Sequence, residues 1–569
     1  MRPFVRRGGD ALGGTGERLL VVRYRRLFHQ TSCILLRGGG RRKCVARPAP
    51  AGDGGGRRGG KVERATPVRA PGLAGALVLL ELVGRRMAGV RQPGPDPLSP
   101  SGARHSSRGG AMIENSSRGR KTQMKILAAL LAGAISLAGA QFRAGAGRVD
   151  ITPKESIWLS GYAARTKPSE GVATKLWAKA LALDDGKSKA VIVTTDVIGL
   201  PRVMTDFVSA RVQKQYGLDR SRILFNSSHT HTGPVIRPNL ILMYNLDAEQ
   251  QRRVNQYAEK LTEDLFTVIG AALGDLKPAR LAFGQGKTTF AINRRQASKE
   301  GVRIGLNPQG PVDHSVPVLQ VLSTDGKLMA VLFGYACHCT TLTAEHLQIS
   351  GDYAAWAQEH IEKAHPGTTA LFMQLCGGDQ NPNPRSKFEL AGQHGAALGS
   401  EVLRVLGTKL EPVKPPIRAA FKVTQLEFAP HTREQFEKEL ADKNVYVARR
   451  AKEMLQHYDA GTPVRRTPYP VQAIRLGQQV TLLALGGEVV IDYALRAKRE
   501  YGGKENLVVA GYSNDVMCYI PSLRVLKEGG YEAASSMIYY GQPGPFNEQV
   551  EELVFDAVRD VMARVGRKK

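Results

Sequence analysis

The sequence predicts an α/β fold, with a mixed β-sheet core flanked by helices in a single large domain over residues 141–569. Three observations predict it. Short apolar runs of strand length alternate with segments of 3.6-residue period from residue 141 to the end. Asp185-Gly186 and Asp325-Gly326 each lie between two apolar runs, the mark of a tight antiparallel turn. About 430 residues follow residue 140 without an internal repeat or long linker, a length that one large domain can absorb.

Residues 1–123 differ from the rest. They carry 25 Lys+Arg and 7 Asp+Glu, so 18 of the 29 net positive charges lie there, along with 23 of the 62 Gly. No apolar period persists, so this Arg/Gly-rich segment is expected to be disordered. It lacks the aromatic interleaving of base-stacking segments, and no nucleic-acid partner is expected. Lys125 then precedes the apolar run 126–137 and Ala138-Gly139-Ala140. A positive start, a core too short to span a bilayer and an A-x-A site describe a signal peptide at 124–140. Translation from Met124 would make 1–123 a misplaced start and the product secreted or periplasmic.

In the remaining chain, 178–183 and 190–195 read as hairpin strands, 204–216 as a helix and 223–225 as a buried strand. Asp247 can cap a long helix whose apolar positions are 254, 257, 261, 265, 268 and 272. A second hairpin occupies 316–322 and 328–336, followed by a helix at 353–364 and a strand at 370–375. Thr432 with Gln435 forms a capping box for one charged, exposed helix to about 456. Strands at 480–485 and 507–510 and an amphipathic helix from 547 complete the order. Cys337, Cys339, Cys376 and Cys518 match no zinc-module spacing and are expected to be buried free thiols.

His229, His338, Asp379, Glu488 and Tyr519 each lie just past one of these strands. Polar residues at strand ends of one sheet can converge on a common crevice. Two His, a Glu and a Tyr make a donor set suited to Zn²⁺. His231 follows in the S-H-T-H-T-G-P run at 228–234, where Gly-Pro stops regular structure at once.

These segments resemble the neutral/alkaline ceramidase family. The motifs are AGAGRVDITP at 144–153, GYA at 161–163, SHTHTGP at 228–234, INR at 292–294, YACH at 335–338 and SGD at 350–352. They continue with GDQNPN at 378–383, GE at 487–488, SN at 513–514 and YEAAS at 531–535. The resemblance covers the family's N-terminal catalytic domain only. It implies an exported zinc-dependent amidohydrolase that cleaves the N-acyl bond of ceramide, or a related N-acyl lipid, by metal-activated water. By position it implies His229, His338, Glu488 and Tyr519 as zinc ligands, His231 as the histidine beside the water, and Arg294 as lining the substrate site. Asn381 stands where the family has its catalytic serine; it cannot be a nucleophile but can donate a hydrogen bond to an oxyanion. Peripheral membrane contact follows from a lipid substrate. Two other readings stay open: a zinc hydrolase of another amide or ester, and a catalytically silent relative that binds lipid or glycan.

Overall fold

The computed structural model describes residues 142–503 and 505–568, together with the backbone of Leu20–Val22 and Cys33–Leu35. Those two short strands pair antiparallel, Leu20 opposite Leu35, within a unit spanning Met1–Ala134. The expectations for the rest of 1–123 and for the signal segment at 124–140 lie outside the described residues.

The second unit, Ile135–Lys569, is built on two sheets. In the larger, the main path of strands is Thr369–Gln374, Leu328–Tyr335, Ser315–Ser323, Lys277–Lys287, Phe142–Asp150, Trp177–Asp184, Lys189–Thr195 and Ile223–Ser227, with Glu411–Val413 added beside Lys277–Lys287. Neighbours are antiparallel except at the two ends of the path, where Thr369–Gln374 and Ile223–Ser227 each run parallel to their neighbour. The smaller sheet has the order Ile417–Glu427, Arg466–Leu476, Val480–Leu485, Asn506–Ala510, the last pair parallel.

Successive side chains of a strand point to opposite faces, and here they feed two cores. Leu332, Leu371 and Met373 share one with Leu482, Leu483 and Val508 of the smaller sheet. Val331, Phe333, Ala370 and Phe372 share the other with Ala357 and Ile361 of helix Asp352–Ala364 and with Leu398 and Val402 of helix Phe388–Leu406. Helix Val550–Arg564 packs on the first two strands of the smaller sheet. The order of layers is helices, sheet, sheet, helices. This is the expected mixed core flanked by helices, with the strands divided between two stacked sheets. On strand Phe142–Asp150, a Cβ at Gly145 would lie 2.3 Å from the Ala272 carbonyl oxygen, so helix Ala248–Gly274 rests directly on its backbone.

Asn226 ties the sheet ends together. Its Oδ1 accepts from the Gln374 backbone N–H at 2.8 Å, and its Nδ2 donates to the carbonyls of Gln374 at 3.1 Å and Gly511 at 2.9 Å. The two terminal strands of the large sheet and the last strand of the small one therefore meet at their carboxyl ends. The loops carrying His229, Asp379 and Tyr512 leave from this junction.

Three details differ from expectation. The charged helix at 432–456 is two helices, Arg433–Glu439 and Val445–Asp459, because the Asn444 side chain accepts from the Tyr446 N–H and caps the second. The last helix begins at Val550. Helix Phe388–Leu406 and the strands Lys277–Lys287 and Ala291–Ser298 add elements that the apolar pattern alone did not single out. The four cysteines are buried and free. Among the described residues, no helix is long and apolar enough to cross a membrane.

Candidate active site

Strand Ile223–Ser227 delivers the segment that follows it into the junction. The Ser228 N–H donates to the Thr195 carbonyl and the His229 N–H to that of Val197. His229 itself has φ of 62°, in the left-handed region that a β-carbon disfavours. Tyr512, whose ring centroid lies 4.5 Å from that of His229, has φ of 50°. Such conformations cost of order 1–3 kcal/mol and persist where the surroundings over-determine them, as at functional sites.

His229 Nδ1 lies 2.5 Å from the Ile198 carbonyl oxygen and His338 Nδ1 lies 2.7 Å from that of Gly377. A carbonyl only accepts, so each Nδ1 carries its proton and each Nε2 turns a lone pair inward. Both Nε2 atoms lie 2.9 Å from the same Glu488 oxygen, Oε2. The Tyr519 hydroxyl is 3.2 Å from His338 Nε2. Four electron-pair donors thus face one point, an arrangement that requires a shared proton or a cation. Imidazoles oriented by backbone carbonyls through Nδ1 are the usual setting of histidine metal ligands. The two-nitrogen, two-oxygen set fits a borderline divalent ion.

His231 enters the same space. Its Nε2 is 3.2 Å from His229 Nε2, and the ligating atoms of His229, His231 and His338 all lie within 4.8 Å of one another, a group that could hold a metal ion. Its ring packs against Gly161, where a Cβ would lie 2.3 Å from Nδ1. That Nδ1 is buried without a hydrogen-bond partner. Burial, then the neighbouring His229 and His338, hold the His231 imidazole well below its ordinary value and neutral. Burial and the charge of Arg294 push His338 down to about 4.

Arg294 lies on the other side of Tyr519. Its Nη2 donates to the Tyr519 hydroxyl at 2.9 Å and its Nη1 to Asn381 Oδ1 at 3.3 Å. Thr340 Oγ1 donates to the same Asn381 oxygen at 3.2 Å. With Oδ1 accepting twice, the Asn381 amide keeps Nδ2 as a donor.

Of the eight residues singled out from the sequence, seven, His229, His231, Arg294, His338, Asn381, Glu488 and Tyr519, meet in one hydrogen-bonded cluster. Asp379 does not join it: its carboxylate accepts from Asn293 Nδ2 and from the Ile491 N–H at the start of helix Ile491–Tyr501, both at 2.9 Å. Three more residues belong to the cluster. Tyr540 donates to Glu488 Oε1, Tyr512 packs on His229, and Glu532 holds Arg294. Glu532 lies within the YEAAS motif at 531–535, which assigns it no role, whereas Tyr540 ends the short helix Met537–Tyr540 and carries no local signal.

Residues 142–400 match the family model for the N-terminal part of neutral/alkaline non-lysosomal ceramidase. The chain is 22% identical over 492 residues to the neutral ceramidase of Pseudomonas aeruginosa, covering 73% of this chain and 71% of that protein. It is 26% identical over 272 residues to that of Drosophila pseudoobscura, covering 44% of this chain and 38% of that protein. The crystal structure of the Pseudomonas aeruginosa neutral ceramidase superposes with a TM-score of 0.58 at 20% identity, covering 76% of this chain and 75% of that one. A ceramidase complexed with C2 superposes with a TM-score of 0.60 at 18% identity, covering 75% and 76%. Over residues 142–400 the chain is thus similar to the neutral/alkaline non-lysosomal ceramidase family.

Proposed function

We propose that this chain is an exported zinc-dependent amidohydrolase that cleaves the N-acyl bond of ceramide or a related N-acyl lipid. The observation that carries the reading is the convergence of two Nδ1-anchored imidazoles on one Glu488 oxygen, with the Tyr519 hydroxyl beside them. His229, His338, Glu488 and Tyr519 would hold the ion, which when bound polarises an amide carbonyl and acidifies water.

The chain's own residues do the rest. His231 is neutral and faces the cluster, so its Nε2 takes the proton of the attacking water and returns it to the leaving amine nitrogen. The water oxygen bonds to the carbonyl carbon, the C–N bond breaks, and a carboxylate and an amine leave. Asn381 Nδ2 and the Arg294 guanidinium provide donors for the charge that develops on the carbonyl oxygen. No covalent acyl-enzyme forms, because Asn381 offers no nucleophile.

The test is metal analysis joined to an N-acyl substrate screen. About one Zn²⁺ per chain is expected, the stoichiometry of one catalytic site, with amide hydrolysis lost together with metal in His229→Ala and His338→Ala. Stoichiometric zinc in the double variant would refute the ligand assignment. Zinc-loaded wild type that turns over no N-acyl lipid but does cleave small esters would move the reading to another bond. A protein inert on both would be a silent binder.

A further inference from the structure

We infer that Glu532 is a positioning residue of this site, acting through Arg294 on the Tyr519 hydroxyl and the Asn381 amide. The inference rests on the amidohydrolase reading for what the site does, but not for how Glu532 is placed.

Arg294 and Arg295 are consecutive on strand Ala291–Ser298, so their side chains should leave on opposite faces. A register shift between Asn293 and Arg295, where this strand pairs with Gly301–Asn307, breaks that alternation. Bulges of this kind re-aim a side chain and are frequent beside active sites. Both guanidiniums now reach one carboxylate: Arg294 Nε donates to Glu532 Oε1 at 2.8 Å, and Arg295 Nη1 to Oε2 at 2.7 Å. Glu532 is 1% exposed and sits in the π-helical turn Tyr531–Ser535, another local irregularity common at functional sites.

The two arms of the carboxylate face different ways. Arg295 is tied to the frame, donating through Nη2 to Glu528 Oε2 at 3.0 Å and to the Gly529 carbonyl at 2.9 Å. Arg294 faces the site, its remaining nitrogens on Tyr519 and Asn381. Glu532 therefore transmits a fixed position from helix Leu523–Glu528 to the group that touches a metal-ligand candidate and the oxyanion-side amide. With Nε held, the planar guanidinium has one orientation in which both Nη atoms meet their acceptors.

The experiment is a double-mutant cycle between Glu532→Gln and Arg294→Ala, read as zinc affinity by chelator competition and as kcat and KM on an N-acyl substrate. Removing a residue that orients metal ligands typically costs about 10–100-fold in affinity or activity. Glu532→Gln is expected to lose zinc affinity and kcat in that range with KM little changed. The same substitution should cost nothing further once Arg294 is Ala. Equal losses in both backgrounds, or unchanged zinc affinity and kcat in Glu532→Gln, would overturn the inference. If Glu532→Gln does not fold, Glu532→Asp, which keeps the charge but withdraws the carboxylate, is measured the same way. The affinity arm decides the role of Glu532 even if wild type proves inert on amides, a result that would sink only the proposed activity.

Discussion

At the residue scale, Asn381 decides which chemistry the site can run. Its Oδ1 is engaged by Thr340 and Arg294, so the amide is held and cannot swing. An immobile donor beside a developing oxyanion is worth on the order of 10²–10³ in turnover. Asn381→Ala should then be slower by about that factor and keep its zinc. His231→Ala should be worse still, because in the proposed mechanism it removes the neutral imidazole that moves the proton. Asn381→Ser should stay within the range of the alanine variant if water is the nucleophile. An Asn381→Ser enzyme that hydrolyses N-acyl lipids beside an inert wild type would show that the native residue silences the site. The strained backbone of His229 fits the same picture: its conformation is imposed by the junction around it and aims Nε2 at Glu488.

At the element scale, the site depends on three strand ends being held together by a side chain. Asn226 is fully buried and does what a neighbouring backbone would do for Gln374. Asn226→Leu keeps the approximate volume and removes every one of these bonds. Orphaned buried donors and acceptors cost about 1–3 kcal/mol each, so a drop of at least ~2 kcal/mol in unfolding free energy is expected, read from the urea midpoint. Zinc affinity should fall with it, since the loops carrying His229 and Tyr512 start at this junction. A variant as stable as wild type would show that the meeting of the strands is set by the cores alone. Gly161 acts at the same scale, since its missing Cβ is the space the His231 ring occupies.

At the scale of the whole molecule, buried carboxyls tie stability to pH. Burial raises Asp196 to about 6 from an ordinary 3.8, against the pull of Lys179 and the Trp177 N–H. Below about pH 4 it is protonated in both folded and unfolded chains, and its contribution is fully present. As pH rises toward 6 the unfolded chain ionises first, so that contribution is lost. Asp196→Asn should flatten this decline, so the stability difference between variant and wild type should shift in the variant's favour from pH 4 to 6 in urea titrations. A pH-independent difference would mean Asp196 is ionised in the fold. The same scale holds the maturation prediction: N-terminal sequencing of exported protein should begin at or near Gln141, and a product retaining residues before 124 would refute a start at Met124.

The sequence by itself determined the class of fold and seven of the residues that meet in the cluster. Apolar runs of strand length ending in His229, His338, Glu488 and the Tyr512–Tyr519 loop were visible because buried strands must be apolar and the residues after them need not be. The motifs around them matched a family in order, and that brought in Arg294 and Asn381. Two kinds of feature were decided only by tertiary structure. The division of the strands into two stacked sheets depends on which face each side chain packs against, and Leu332 and Phe333 look alike in a sequence although they enter different cores. The convergence of Glu532 with Arg294 and Arg295, and of Tyr540 with Glu488, joins residues remote in the chain through a bulge, a π-turn and the end of a short helix. Local pattern carries no record of such distant contacts, because they are set by how the finished sheets stack.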